Sequence, residues 1–377
     1  MKNLGFGCMR LPLLDENNQK SIDKGQMCAM VDKFIERGFT YFDTAYVYHE
    51  GESERAVKEC LVDRHARDNF ILATKLPMFL LQSEEDKERF FREQCQKCGV
   101  DYFDYYLLHN LNMGTYHDKA VKFHGFDFLQ KLKSEGRAKN IGFSFHDKPE
   151  LLDEILTAHP EVNFVQLQIN YLDWDNAAIQ SAKCYKTAEK HGKKVVVMEP
   201  IKGGALANVP PEAEELFKDY NPKISVASWA VRFAASLPNV FMVLSGMSKL
   251  DQMDDNISYM ENFVPLNDDE AAIVKRAAAI VNSSIEIPCT ACEYCTDACP
   301  QNIAIPKYFH LYNDKKNYFK GMATNLAWSI QDLYYDNLTK NFGKASDCIA
   351  CRVCEQHCPQ GIKIADQMVK VKEFFEV

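Results

Sequence analysis

Short runs of β-branched and aromatic residues alternate with longer stretches of helical period through the first three-quarters of the 377-residue chain. The apolar runs predict strands over residues 4–8, 40–45, 70–75, 104–109, 140–144, 164–168, 194–198 and 240–245, because side chains of that shape suit a pleated, half-buried surface. Between them the 3.6-residue period predicts helices over 26–38, 52–64, 84–98, 117–136, 148–157, 176–191 and 224–235. Gly38, Gly99, Gly136 and Gly192 close four of these segments, where a left-handed cap would sit. Eight strand–helix units in a row match an α/β chain folded as a parallel (β/α)8 TIM barrel. A doubly wound sheet fits less well, since no Gly-x-Gly-x-x-Gly turn follows any of these strands to cradle a dinucleotide. A further helix over 267–282 leads through Ser283, Ser284 and Pro288 to a different kind of sequence.

There the periodicity gives way to a cysteine phrase that occurs twice. Cys289, Cys292, Cys295 and Cys299 are followed by Pro300, and Cys348, Cys351, Cys354 and Cys358 by Pro359, with identical spacing. Three cysteines at steps of three direct their sulfurs from one tight loop, and the proline stops a helix from running on past the fourth. This is the spacing of bacterial-type ferredoxins and implies two [4Fe–4S] clusters. In such units the fourth cysteine serves the opposite cluster, which pairs Cys358 with the first three and Cys299 with Cys348, Cys351 and Cys354. Structural zinc favours Cys-x2-4-Cys pairs set well apart and fits less well. The expected organisation is a barrel over 1–285 and a small α+β ferredoxin-like domain over 286–377. The long aromatic stretch between the two phrases forms a helical insertion that packs the cluster module against the barrel or a partner.

Composition narrows the partners. A net charge of -9 and the lack of a basic stripe argue against nucleic acid, and no apolar run has the length of a membrane helix. No charged-then-apolar leader precedes the first strand, so a reducing, cytoplasmic setting is expected. Cys95 and Cys98, three apart on a helix, read as small core residues rather than as a metal pair.

Catalysis in such a barrel takes place at the C-terminal ends of the strands. Asp43, Lys75 and His109 fall at or near the ends of three consecutive strands, and Tyr48 lies in the loop after the first of these. Singly, a strand-end histidine is most often a satisfied core residue and a strand-end lysine snorkels to water. Together they offer an acid, a base, a phenol and an imidazole to one spot.

This set, with Phe42-Asp43-Thr44-Ala45-Tyr46-Val47-Tyr48, Ala73-Thr74-Lys75 and Tyr106-Leu107-Leu108-His109, resembles the aldo/keto reductase superfamily over residues 1–285. The resemblance implies that Tyr48 donates a proton to a carbonyl oxygen, with Lys75 lowering its pKa, Asp43 pairing Lys75 and His109 orienting the carbonyl. It also implies a reduced nicotinamide, NADH or NADPH, met by Ser144 and Gln166, with Gly203 and Gly204 offering close approach to a pyrophosphate. The pattern departs from the family at Phe145, where an asparagine is common, and at Met198, where a stacking tyrosine is common. After the eighth strand, Gly246, Ser248 and Gln252 replace the residues that grip a 2′-phosphate, and Asp255-Asn256 keeps the adenine-side pattern. The expected function is an iron–sulfur oxidoreductase that reduces a small-molecule carbonyl. Its clusters would relay electrons between the barrel and an external ferredoxin or other carrier, perforce through a one-to-two-electron step that a flavin would serve. The alternatives are an ordinary NAD(P)H-dependent reductase with structural or redox-sensing clusters, and an electron-transfer protein with an inactive barrel.

Overall fold

All eight expected strands form, and each pairs in parallel with the next in sequence order. They are Leu4–Gly7 (β1), Tyr41–Asp43 (β2), Ile71–Leu76 (β3), Phe103–Leu111 (β4), Ala138–Phe145 (β5), Phe164–Gln168 (β6), Lys194–Met198 (β7) and Val240–Ser245 (β8). Pairing of β8 with β1 closes the barrel. The computed structural model describes residues 2–376 apart from 177, 284–285, 290, 294, 297, 321–327 and 359. Ser284 at the expected domain boundary, Pro359 after the last cysteine and residues 321–327 of the insertion therefore lie outside the described residues.

Helices Lys24–Glu36 (α1), Ser53–Val57 (α2), Glu85–Cys98 (α3), Gly125–Ser134 (α4), Pro149–Ala158 (α5), Ser181–Lys190 (α6), Pro211–Tyr220 (α7), Val226–Ala235 (α8), Leu250–Met260 (α9) and Asp268–Ser283 (α10) belong to this part of the chain. Many of their apolar faces share one core with the outer faces of the strands. Inside the barrel, Tyr41, Ala73, Leu107, Phe164, Val196, Met242 and Leu244 form a separate buried plug. Gly142 makes room for it, since a Cβ there would stand 2.4 Å from the Phe164 carbonyl oxygen and 2.8 Å from its ring. Successive side chains of a strand alternate between faces. The residue two positions beyond each plug residue therefore also points inward, one layer nearer the C-terminal mouth. That rule takes Tyr41 to Asp43, Ala73 to Lys75, Leu107 to His109, Phe164 to Gln166 and Val196 to Met198.

Beyond α10, a second core gathers Ile303, Tyr308, Phe309, Tyr312, Tyr335, Ile364 and Met368. It is built on Ile305–Lys320 (α11), Ile330–Leu338 (α12) and Ile364–Phe375 (α13). Its β component among the described residues is one parallel bridge, Ile303 to Gly343. Ala178 and Ile179, from the barrel loop after β6, are members of the same core, so the two units share packing. Cys28 of α1 and Cys60, in the turn after α2, are joined as a disulfide with Cα atoms 4.5 Å apart. The sequence conceals that pair, because its two halves come from different elements 32 residues apart. Cys98 is buried and Cys95 half-buried, and burial pushes the Cys95 thiol up to about 12.

Candidate active site and cluster sites

At the mouth, Lys75 Nζ donates to Asp43 Oδ1 at 2.5 Å and to the Thr44 carbonyl at 2.8 Å. Lys75 has no exposed surface. Burial opposes its charge, but Asp43 and Tyr48 beside it more than restore it, and the ammonium is held above its ordinary pKa. The ammonium lies 4.9 Å from the centre of the Tyr48 ring. Removal from water raises the Tyr48 phenol above its usual value and outweighs the Lys75 charge that acts to lower it. The lowering implied by the family resemblance is thus present but does not prevail in the folded chain.

The Tyr48 and His109 rings meet edge to face with centroids 6.0 Å apart. Burial, Lys75 and His146 in turn hold His109 well below the usual imidazole pKa, so the ring is neutral. Its Nδ1 is buried without a partner. The loop that carries Tyr48 is fixed by His49, whose Nε2 accepts from Leu11 N at 3.0 Å and whose Nδ1 lies 2.9 Å from the Gln19 carbonyl. That carbonyl can only accept, so the proton is on Nδ1. His49 lies in no sequence motif of its own, and only the fold shows this role.

The residues assigned by resemblance to a nicotinamide fall into two groups. Ser144 Oγ accepts from Asn110 N at 2.8 Å, while Gln166 reaches Met198 Sδ at 3.8 Å through Nε2 and keeps Oε1 unpaired. These three are inward positions at the mouth, and the unpaired amide oxygen suits a carboxamide donor. Gly203 and Gly204 stand in a tight turn after β7 with φ of 66° and 102°, a backbone that side chains other than glycine adopt at a cost. The second group lies beyond β8. Gly246 packs on Arg10, Ser248 N donates to Gln252 Oε1 at 2.9 Å, and Asn256 donates to the Gln252 carbonyl at 2.8 Å and accepts from Tyr259. The Asn256 amide is therefore engaged within its own helix.

A buried charge network that no local motif marks lies where the two units meet. Lys202, after β7, pairs with Asp173 and lies 3.3 Å from Asp314 of α11. Asn176 donates to Asp314 at 2.9 Å, and Gln168 and Asn170 both donate to Asp173. Burial, against the pull of Lys202, raises the Asp314 carboxyl to about 6. On the same side, Tyr334 of α12 packs against His146, with centroids 6.4 Å apart. The insertion between the cysteine phrases thus sits on the barrel.

The cysteines line two separate hollows. Cys299, Cys348, Cys351 and Cys354 line the first, and Cys289, Cys292, Cys295 and Cys358 the second. Each cavity takes its fourth thiol from the other repeat. Ile305 and Ile364 line both. The loops repeat in conformation as well as in sequence, since Ala291 and Glu293 in one and Ala350 and Arg352 in the other have positive φ at equivalent positions. Such turns aim backbone N–H groups inward, as anionic groups require. Four soft thiol donors around each space fit an iron–sulfur cubane.

The aldo/keto reductase family model matches residues 3–279, and a 4Fe-4S dicluster domain model matches residues 288–362. The chain is similar to the uncharacterized oxidoreductase YqkF of Bacillus subtilis (strain 168), at 24% identity over 287 residues, covering 68% of this chain and 86% of that protein. It is also similar to the norsolorinic acid reductase stcV of Emericella nidulans, at 22% identity, covering 82% and 81%. Among solved structures, the holo form of aldo-keto reductase AKR11C1 from Bacillus halodurans superposes with a TM-score of 0.57 at 24% identity, covering 73% of this chain and 91% of that one. An aldo-keto reductase from Klebsiella pneumoniae in complex with NADPH gives 0.58 at 19% identity, covering 73% and 90%.

Proposed function

The chain belongs to the aldo/keto reductase family, and from that premise we propose that it reduces a small-molecule carbonyl at Tyr48 while two [4Fe–4S] clusters relay electrons to or from the barrel. That it is an oxidoreductase carrying a 4Fe-4S ferredoxin domain follows from the two family matches. The observation that carries the finer reading is the seating of the cluster unit on the catalytic mouth, through Tyr334 against His146 and Asp314 beside Lys202. The proposed units are residues 1–285 and 286–377.

A carbonyl oxygen entering the mouth takes its proton from the Tyr48 hydroxyl, which stays protonated because its pKa is raised. Lys75, kept charged by Asp43, stabilises the phenolate left behind. His109 is neutral and orients the carbonyl by donating one ring N–H. Ser144, Gln166 and Met198 would hold the reactive end of a nicotinamide, and Gly203 and Gly204 its phosphates, while Gly246, Ser248, Gln252 and Asn256 would border its far end. A reduced nicotinamide held by these residues would supply hydride to the carbonyl carbon. Cluster electrons come singly, and a flavin at the same mouth would reconcile one- and two-electron steps. The setting is cytoplasmic, and the partner is an external ferredoxin or similar carrier rather than nucleic acid or membrane. Among the described residues no helix is long and apolar enough to cross a membrane. The second reading, an NAD(P)H-dependent reductase whose clusters are structural or redox-sensing, is favoured by the NADPH in the Klebsiella pneumoniae structure.

The two readings separate on electron source. Cys354→Ala, with the barrel shown intact by circular dichroism, is expected to abolish carbonyl reduction driven by reduced viologen and to keep any turnover driven by NADPH. Equal viologen-driven rates in wild type and variant would discard the relay.

A further inference from the structure

Three buried polar side chains at the junction of the two units each keep at least one polar atom without a hydrogen-bonding partner. His146 directly follows β5 and is 7% exposed, with Nδ1 buried and unpaired. Gln168 ends β6 and donates to Asp173 Oδ2 at 2.8 Å, which leaves its own Oε1 unpaired. Gln331, on α12, is 0% exposed, yet neither its Oε1 nor its Nε2 has a partner. Buried amides are almost always satisfied, because a donor or acceptor taken from water without replacement destabilises the fold.

The seat of α12 relates the three. Tyr334 lies three residues after Gln331 and so shares its helix face, and it is this tyrosine that packs on the His146 ring, with centroids 6.4 Å apart. Asn337 donates to the His146 carbonyl at 3.5 Å. Tyr334 also feels the charge of Asp173, the partner of Gln168. The helix face that bears Gln331 is therefore turned toward the ends of β5 and β6, and His146 is near enough to His109 to disfavour its protonation.

We propose that His146, Gln168 and Gln331, two from the barrel and one from the cluster unit, form a substrate subsite that takes the hydroxyl groups of a neutral hydroxylated carbonyl compound. That the compound carries a carbonyl rests on the reductase reading. An anionic compound is disfavoured, because Lys75 is already taken by Asp43, and Lys202 by Asp173 and Asp314. Burial and Lys75 together hold His146 neutral, with a pKa lowered to about 3. The amide oxygens of Gln168 and Gln331 accept from hydroxyls, and the Gln331 NH2 donates to a hydroxyl oxygen. A carboxylate or phosphate would meet these acceptors with Lys75 and Lys202 already paired.

The test is equilibrium binding to the full-length, cluster-loaded chain, followed by NMR of the ligand, with dihydroxyacetone and acetone as probes. Wild type is expected to bind dihydroxyacetone at least about tenfold more tightly than acetone. Gln331→Met keeps the side-chain volume and should bring that ratio to within about twofold. His146→Phe applies the same test from the barrel side should the first variant not fold. No preference in wild type, or a preference that survives both substitutions, overturns the proposal. Binding is read without turnover, which keeps the two readings apart. A protein that selects dihydroxyacetone but reduces neither ketone with any donor refutes the reductase reading alone, and reduction without selectivity refutes the subsite alone.

Discussion

At the scale of single residues, the proposed chemistry divides labour between a group that keeps its charge and a group that keeps its proton. Lys75 is buried against Asp43 at 2.5 Å and remains a cation, whereas the Tyr48 phenol is raised and remains an acid. Replacing Tyr48 by phenylalanine removes only the hydroxyl and leaves the ring to pack. Carbonyl reduction by Tyr48→Phe is therefore expected to fall by about 100-fold or more, measured as kcat with KM little changed and the thermal midpoint near wild type. Wild-type turnover in that variant would mean that proton transfer at this mouth does not use Tyr48. Asp43, Lys75 and His109 were legible in the sequence because a parallel strand that ends in a charged or ring residue has one place to put it. Lys202, Asp173 and Asp314 were not, since nothing local marks residues that meet across 141 positions of the chain (Asp173 to Asp314).

At the scale of elements, strand positions were legible because each apolar run has turn residues on both sides, and three of the eight expected strands, 164–168, 194–198 and 240–245, match to the residue. Helix starts were less so. The helix expected over 176–191 begins only at Ser181, because Asn176 uses its amide on Asp314 and Gln180 takes a left-handed φ of 55°. The helix expected over 117–136 is broken at His124, with φ of 47°. Helices α7 and α9 were missed beside the longer apolar segments that flank them. In the cluster unit, Gly343 is the element-level constraint that the spacing of cysteines does not reveal. A Cβ there would stand 2.3 Å from the Gln301 carbonyl oxygen, in the parallel bridge that ties the end of the first phrase to the start of the second. Gly343→Ala is expected to cost about 2 kcal/mol or more and to speed cluster bleaching in air, read from the loss of visible absorbance. Bleaching at the wild-type rate would show that the bridge is dispensable.

At the scale of the whole molecule, the exchange of the fourth thiol ties the two cysteine-lined hollows into one object. Cys358 completes the cavity of the first phrase and Cys299 that of the second. Anaerobically prepared chain is expected to hold about eight iron and eight acid-labile sulfide, and a strong chelator should withdraw the iron in a single kinetic phase. Two well-separated phases of equal amplitude would show that the sites come apart independently, and stoichiometric zinc without sulfide would remove the clusters altogether. The charge network at the junction has a different consequence, for how portable each unit is. Lys202 and Asp173 belong to the barrel and balance each other, whereas Asp314 arrives from the cluster unit with no cation of its own at that contact among the described residues. The barrel alone is thus in electrical balance at this face, but the cluster unit grafted onto a foreign barrel would bury an orphan carboxylate unless a lysine were transplanted with it.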